Sequence, residues 1–159
     1  MHIKIIAIGK MREAYLKDGV LVFLTRLAPR HRISVTEIPE MRVPGRCSDR
    51  ELEKIRQDEG SRLLDATGSG CVVVALDPGG EQMTSEGLAS LMAQWELEGQ
   101  GSISFLIGGS TGLPPLVRTR ADLVLSLSPM TFPHQLVRLI LIEQIYRADC
   151  INRGIPYHK

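Results

Sequence analysis

Five short, nearly unbroken apolar runs, set apart by longer amphipathic stretches, constrain this chain more than any other feature. They occupy residues 3–8, 33–38, 71–76, 103–107 and 123–127. Each is the length of a strand and most are too continuously apolar to leave one face in water, as expected of strands buried on both sides. Helices must then cover both faces, so the pattern predicts an α/β fold: a parallel open sheet flanked by helices. The chain has 159 residues, of which 43% are hydrophobic. That suits one core, so residues 1–159 are expected to form a single domain.

Two intervening stretches carry clear helix signals. Ser48-x-x-Glu51 is a capping box opening a helix over about 49–66, which Thr67-Gly68 ends. Leu88, Leu91, Met92 and Trp95 then form one apolar stripe, which reads as core packing. The last helix, about 134–151, is apolar on nearly every side through Leu136, Val137, Leu139, Ile140, Leu141, Ile142, Ile145 and Tyr146. One face can pack on the chain's own sheet. The other predicts a subunit interface, most simply that of a homodimer.

The longest apolar stretch, 136–146, is broken by Arg138 and Glu143, and the run at 5–8 is too short for a signal peptide. A protein with no membrane span and a cytoplasmic location is expected. Cys47, Cys71 and Cys150 are odd in number and widely spaced, which points to neither a disulfide framework nor a metal site. The net charge of +1 argues against a strong overall field for nucleic acid. Its distribution is uneven. Residues 1–32 hold seven Lys or Arg against two acids, and residues 66–112 hold five acids and no base. These charges are either scattered over solvated faces or gathered into a basic surface facing phosphate.

Ligands of a parallel open sheet bind at the carboxyl ends of its strands. Three such ends carry loops rich in glycine, proline or small hydroxyls: 76–80, 107–112 and 127–134. The second contains Gly108-x-Ser110-x-Gly112, the pattern of a serine hydrolase elbow, with Asp122 and His134 following in triad order. Pro114 and Pro115 interrupt the helix that such an elbow needs, and Asp122 falls at the start of a strand, away from Ser110. A Walker loop is excluded because Leu113-Pro114 follows its last glycine, and no G-x-G-x-x-G fingerprint is present. The three loops are better suited to enclosing a flat heterocycle such as adenine. Gly108 and Gly109 would admit the main chain, Leu76 and Phe132 would supply apolar walls, and residues 127–131 would hydrogen-bond the rim. A hydrolase and a non-catalytic nucleotide sensor both remain open on these residues.

The segments "LIGGSTGL", "LSLSPMTFPHQLVRLILIEQIYRA" and "PYHK", together with "VVVALDPGG" and "IKIIAIGK", resemble the RlmH group of SPOUT methyltransferases along essentially the whole chain. The resemblance implies methyl transfer from S-adenosylmethionine to N3 of a pseudouridine in 23S ribosomal RNA, on the assembled ribosome. It also implies a C-terminal trefoil knot, a rare exception to unknotted topology. Carried over by position, the cofactor site comprises Leu76, Gly108, Gly109, Leu127, Ser128, Pro129, Met130, Thr131 and Phe132. The expected catalytic set is His158, Arg138, Tyr157 and Lys159. In it His158 contacts or deprotonates the base, Arg138 and Lys159 bind phosphate or stabilise charge, and His134 is the rival base. Ser110 and Thr111 depart from some relatives of this group, so no essential chemistry falls to them.

Overall fold

The computed structural model describes residues 1–157. The elements alternate strictly: β1 (His2–Ile8), α1 (Ala14–Leu27), β2 (Arg32–Ile38), α2 (Asp49–Asp65), β3 (Val72–Gln82), α3 (Ser85–Leu97), β4 (Ser102–Ile107), α4 (Pro115–Arg120), β5 (Leu123–Ser126) and α5 (His134–Asn152). All five apolar runs became strands of one parallel sheet, in the order β2-β1-β4-β3-β5.

Because side chains alternate along a strand, the sheet feeds two cores. Ile3, Ile5, Val72, Val74, Ile103 and Phe105 point to one face, where Leu16 and Val20 of α1, Leu88 and Met92 of α3, and Leu141 and Ile145 of α5 cover them. Ile6, Ile8, Val73, Ala75 and Leu106 point to the other, under Leu63 of α2 and Val117 of α4. The doubly buried strands thus account for the continuous apolar runs.

Local signals explain several boundaries. Ser48 and Glu51 form the reciprocal capping box of α2. By contrast α1 carries no such announcement, since Glu13 at its N-cap makes no side-chain bond. Two expectations need correction. Pro114 and Pro115 start a helix rather than interrupt one: Pro115 sits in the first turn of α4, where its missing N–H has no intrahelical partner to lose. The segment 76–80 is not a free loop but part of β3. Leu76 and Glu81 both face Leu125, so residues 77–80 bulge out between them. Glycine is required in that bulge at Gly80, where a Cβ would lie 2.5 Å from the Val124 carbonyl oxygen.

α5 is nineteen residues long, about 28 Å, and packs lengthwise against α1 and α3. Its remaining face is only partly covered, leaving Leu136, Val137, Leu139 and Ile140 half-buried. Among the described residues no helix is long and apolar enough to cross a membrane.

Candidate active site

The carboxyl ends of β3, β4 and β5 and the start of α5 enclose a cavity of about 220 Å³. Leu76, Gly108, Gly109, Leu127, Ser128, Met130, Thr131 and Phe132 line it, as do Pro78, Leu113, Leu125, His134 and Val137. Pro129 does not. The walls are mainly aliphatic, with Phe132 as the aromatic member, and polar groups enter from the loops at the rim. This is the composition of a site for a ligand with a flat apolar body and polar edges.

The glycine-rich loop is a tight turn. Gly112 N–H donates to the Gly109 carbonyl at 3.1 Å, and Gly112 has φ +77°, a conformation suited to glycine. At Gly109 a Cβ would stand 2.8 Å from Cγ2 of Ile8, so the loop lies directly on the end of β1. The opposite wall is tied down as well. The Ser126 hydroxyl donates to the Pro78 carbonyl at 3.0 Å, joining β5 to the bulge, and Met130 N–H donates to Ser128 Oγ at 3.0 Å.

Two glutamates that sequence reasoning missed stand behind the glycine loop. Ser110 donates to Glu40 Oε1 through its hydroxyl at 2.8 Å and its N–H at 3.3 Å. Burial works to raise the Glu40 pKa, but the two Ser110 donors and the nearby His134 and Arg12 outweigh it, and the net shift is downward. Glu59 is only 2% exposed and accepts from Met41 N–H at 2.9 Å and from Thr111 Oγ1 at 3.4 Å. The one signal for Glu59 was its spacing, four residues from Ile55 and four from Leu63. That spacing puts a carboxylate on the buried stripe of α2.

The hydrolase constellation does not assemble. Asp122 accepts from Val73 N–H at 2.8 Å at the amino end of the sheet, while Ser110 and His134 lie at the carboxyl end. Ser110 spends its proton on Glu40, leaving no relay among the three.

Of the expected catalytic residues the structure describes two, Arg138 and Tyr157, and they lie apart. His158 and Lys159 lie outside the described residues. Arg138 is 1% exposed and does not face a phosphate: Nη2 donates to the carbonyls of Ile8 at 2.9 Å and Gly9 at 2.6 Å, and Nη1 pairs with Glu37 at 2.8 Å. Burial lowers its pKa against the pull of Glu37, although an arginine stays a cation at pH 7. It therefore fastens the end of β1, and with it the turn beneath Gly109. Tyr157 lies against α5, away from the cavity lining. Its hydroxyl donates to Glu143 at 3.1 Å, its ring meets Tyr146 edge-on at 4.9 Å, and Arg147 lies over its face. Burial and Glu143 raise its pKa.

The basic run of residues 1–32 does not form one surface either. Lys4 donates to the Thr67 carbonyl, Arg26 lies over the rings of Phe23 and Tyr146, and Arg30 pairs with Asp149. Lys10 and Arg12 alone follow the carboxyl end of β1. They are exposed there, and Arg42 and Arg46 are exposed in the loop after β2 at the same edge of the sheet.

The parallel sheet, covered by helices on both faces, carries this cavity between the bulge of β3 and the loops after β4 and β5, and the family model for predicted SPOUT methyltransferases matches residues 1–158. The chain belongs to the SPOUT methyltransferase family, a family of enzymes. Within that class it groups with proteins named ribosomal RNA large subunit methyltransferase H. It is 46% identical over 160 residues to the one from Heliobacterium modesticaldum, covering 100% of this chain and 99% of that protein. It is 46% identical over 159 residues to the one from Carboxydothermus hydrogenoformans, covering the whole of both. Among solved structures, a probable methylase family protein from Haemophilus influenzae shares the fold with a TM-score of 0.55 at 11% identity, over 99% of this chain and 70% of that one.

Proposed function

We propose that the protein transfers a methyl group from S-adenosylmethionine to N3 of a pseudouridine in 23S ribosomal RNA, in the cytoplasm and on the assembled ribosome. The observation that carries this reading is the cavity between the glycine loop and residues 127–132, in a chain so similar to named large-subunit rRNA methyltransferases. Residues 1–159 act as one SPOUT domain, and the trefoil knot that the resemblance implies belongs to the same reading.

The residues present fit the cofactor. Gly108 and Gly109 leave the main chain bare toward the cavity, Leu76, Leu127 and Phe132 supply apolar walls, and Ser128 and Thr131 offer polar groups at the rim. Bound S-adenosylmethionine would supply an electrophilic methyl on a sulfonium. Pocket residues then have to hold the acceptor nitrogen in line with that carbon, so positioning dominates catalysis. N3 of the base carries an imide proton that must leave as the new N–C bond forms. His158 is proposed as the group that takes it, with Lys159 stabilising the developing charge.

Tyr157, the last described residue of the tail, is not among the residues that line the cavity. Glu143, which holds Tyr157, lies nine residues along α5 from His134 at the cavity, roughly 14 Å of helix. We therefore infer a homodimer, formed on the half-buried face of α5, in which the tail of one subunit serves the cavity of the other. Phosphate contacts fall to Lys10, Arg12, Arg42 and Arg46 at the rim.

Titration calorimetry with S-adenosylmethionine and S-adenosylhomocysteine, followed by transfer of labelled methyl to large subunits and whole ribosomes, tests this reading. Saturable binding and label at a pseudouridine of 23S RNA are expected. Binding without transfer to any ribosomal substrate would sink the methyltransferase assignment for this chain. Retention of full methylation by His158→Ala would remove the tail as the proton acceptor.

A further inference from the structure

Glu59 is buried on α2, and the reaction as derived gives it no task. Its surroundings do. One carboxylate oxygen accepts from Met41 N–H at 2.9 Å, fixing the residue next to Glu40, whose own carboxylate holds Ser110. The other accepts from Thr111 Oγ1 at 3.4 Å. One turn away on α2, Arg56 Nε donates to the Thr111 carbonyl at 2.9 Å. A Cβ placed on Gly109 would have Glu40 Oε1 at 3.3 Å and Glu59 Oε2 at 3.4 Å, so the two carboxylates bracket that glycine from behind. The helix is itself a fixed support. At Gly60 a Cβ would lie 2.3 Å from Cγ of Pro114, so α2 presses on the end of the same loop.

A buried carboxylate is costly unless its oxygens are hydrogen-bonded. Thr111 belongs to the glycine loop that lines the cavity, and Met41 to the loop after β2, which Glu40 ties to that glycine loop through Ser110. Moving either segment leaves a buried charge short of a partner, so the carboxylate penalises every arrangement of the loop but this one. We propose that Glu59 is a positioning residue that holds residues 108–112 in the shape that receives the methyl donor, acting through Thr111 and, by way of Met41 and Glu40, through Ser110. The inference rests on the cofactor reading of the cavity.

Because the loop would face the part shared by S-adenosylmethionine and S-adenosylhomocysteine, loosening it should weaken both ligands alike. Glu59→Gln keeps the shape and one acceptor oxygen but removes the charge, and should raise both Kd values roughly tenfold, the scale of one charge-assisted hydrogen bond. The turnover number at saturating cofactor should stay within about twofold, so the loss appears in KM for the donor. Thr111→Val removes one arm of the bracket and should act in the same direction, with Thr111→Ser restoring binding. The double variant Glu59→Gln/Thr111→Val should be no weaker than the worse single one, since both break one network.

Unchanged Kd values alongside a lower Tm would show Glu59 to be structural only, and would overturn the proposal. So would additive losses, or a loss confined to S-adenosylmethionine, which would mean a charge acting on the sulfonium. Thr111→Val and its serine rescue carry the test by themselves if Glu59→Gln lowers the folded yield. Absence of binding by the unaltered protein would instead sink the cofactor reading, and this inference with it.

Discussion

The two ends of α5 carry the same device in different service. At its amino end Arg138 is buried against Glu37 and the carbonyls of Ile8 and Gly9. At its carboxyl end Asp149 is buried against His31 at 3.1 Å, Arg30 at 3.4 Å and Arg153 at 3.1 Å. Both join α5 to the β1–β2 half of the sheet. The first, however, lies at the carboxyl edge, under the loops that frame the cavity. The second lies at the amino edge, where the chain turns from α1 into β2, away from the residues that line the cavity. A buried ion pair is therefore no marker of function by itself; which edge of a parallel sheet it secures decides whether it bears on the site.

Breaking each device separately sharpens that contrast. Arg138→Met should have the largest effect, since it takes a donor from two buried carbonyls, while Glu37 keeps Met11 N–H and stays partly in water. A loss of about 2–5 kcal/mol is expected for two buried acceptors left unpaired, measured by chemical denaturation, together with weaker binding of S-adenosylmethionine. Equal affinity in the folded fraction would break the proposed link between the end of β1 and the cavity.

Asp149→Asn should cost less, about 1–3 kcal/mol at pH 7, and leave cofactor affinity unchanged. Burial raises the Asp149 pKa, yet hydrogen bonds from His31 and Arg153 and their charges bring it below the ordinary value of 3.8. A carboxylate depressed in the folded state contributes stability that is fully present above its unfolded pKa and is lost as pH falls through the folded one. The difference between this variant and the unaltered protein should hold down to about pH 4 and shrink below it; a gap that persists at lower pH would count against the ionised carboxylate as the source.

Gly109→Ala should cost a comparable or smaller amount, about 1–3 kcal/mol for an overpacked contact, because its Cβ meets Ile8. Unlike Asp149→Asn it should also weaken cofactor binding, as calorimetry would show. The smallest effect on stability belongs to Lys10→Ala and Arg12→Ala at the exposed rim, within about 0.5 kcal/mol. They should raise the KM for ribosomes and lower the salt dependence of binding, each by roughly one unit of slope. An unchanged slope would place the RNA elsewhere.

The site was partly legible in the sequence, for identifiable reasons. Gly108, Gly109 and the 127–132 loop stood out because close approach of main chain to a ligand demands glycine, and a non-helical connection before α5 shows in Pro129 and Pro133. Arg138 entered the expected catalytic set through the resemblance, and nothing in its neighbours along the chain reveals that the carbonyls of Ile8 and Gly9 at the end of β1, about 130 residues away, hold its guanidinium. Glu59 and Glu40 were hidden in the same way, since a carboxylate among solvated charges looks the same as one turned inward.

What the sequence determined by itself was the set of strands and the need to cover them on both sides, since burial of both faces leaves an unbroken apolar run in linear order. It also determined the capping box of α2, a contact spanning three residues. Only the tertiary structure decided the strand order β2-β1-β4-β3-β5, the bulge of residues 77–80 against β5, and the meeting of Glu40, Glu59 and Arg56 on one turn of the glycine loop. Those partners lie 52 to 70 residues apart along the chain. Local periodicity extends over a few residues, and contacts at that separation exist only once the sheet has brought its carboxyl ends together.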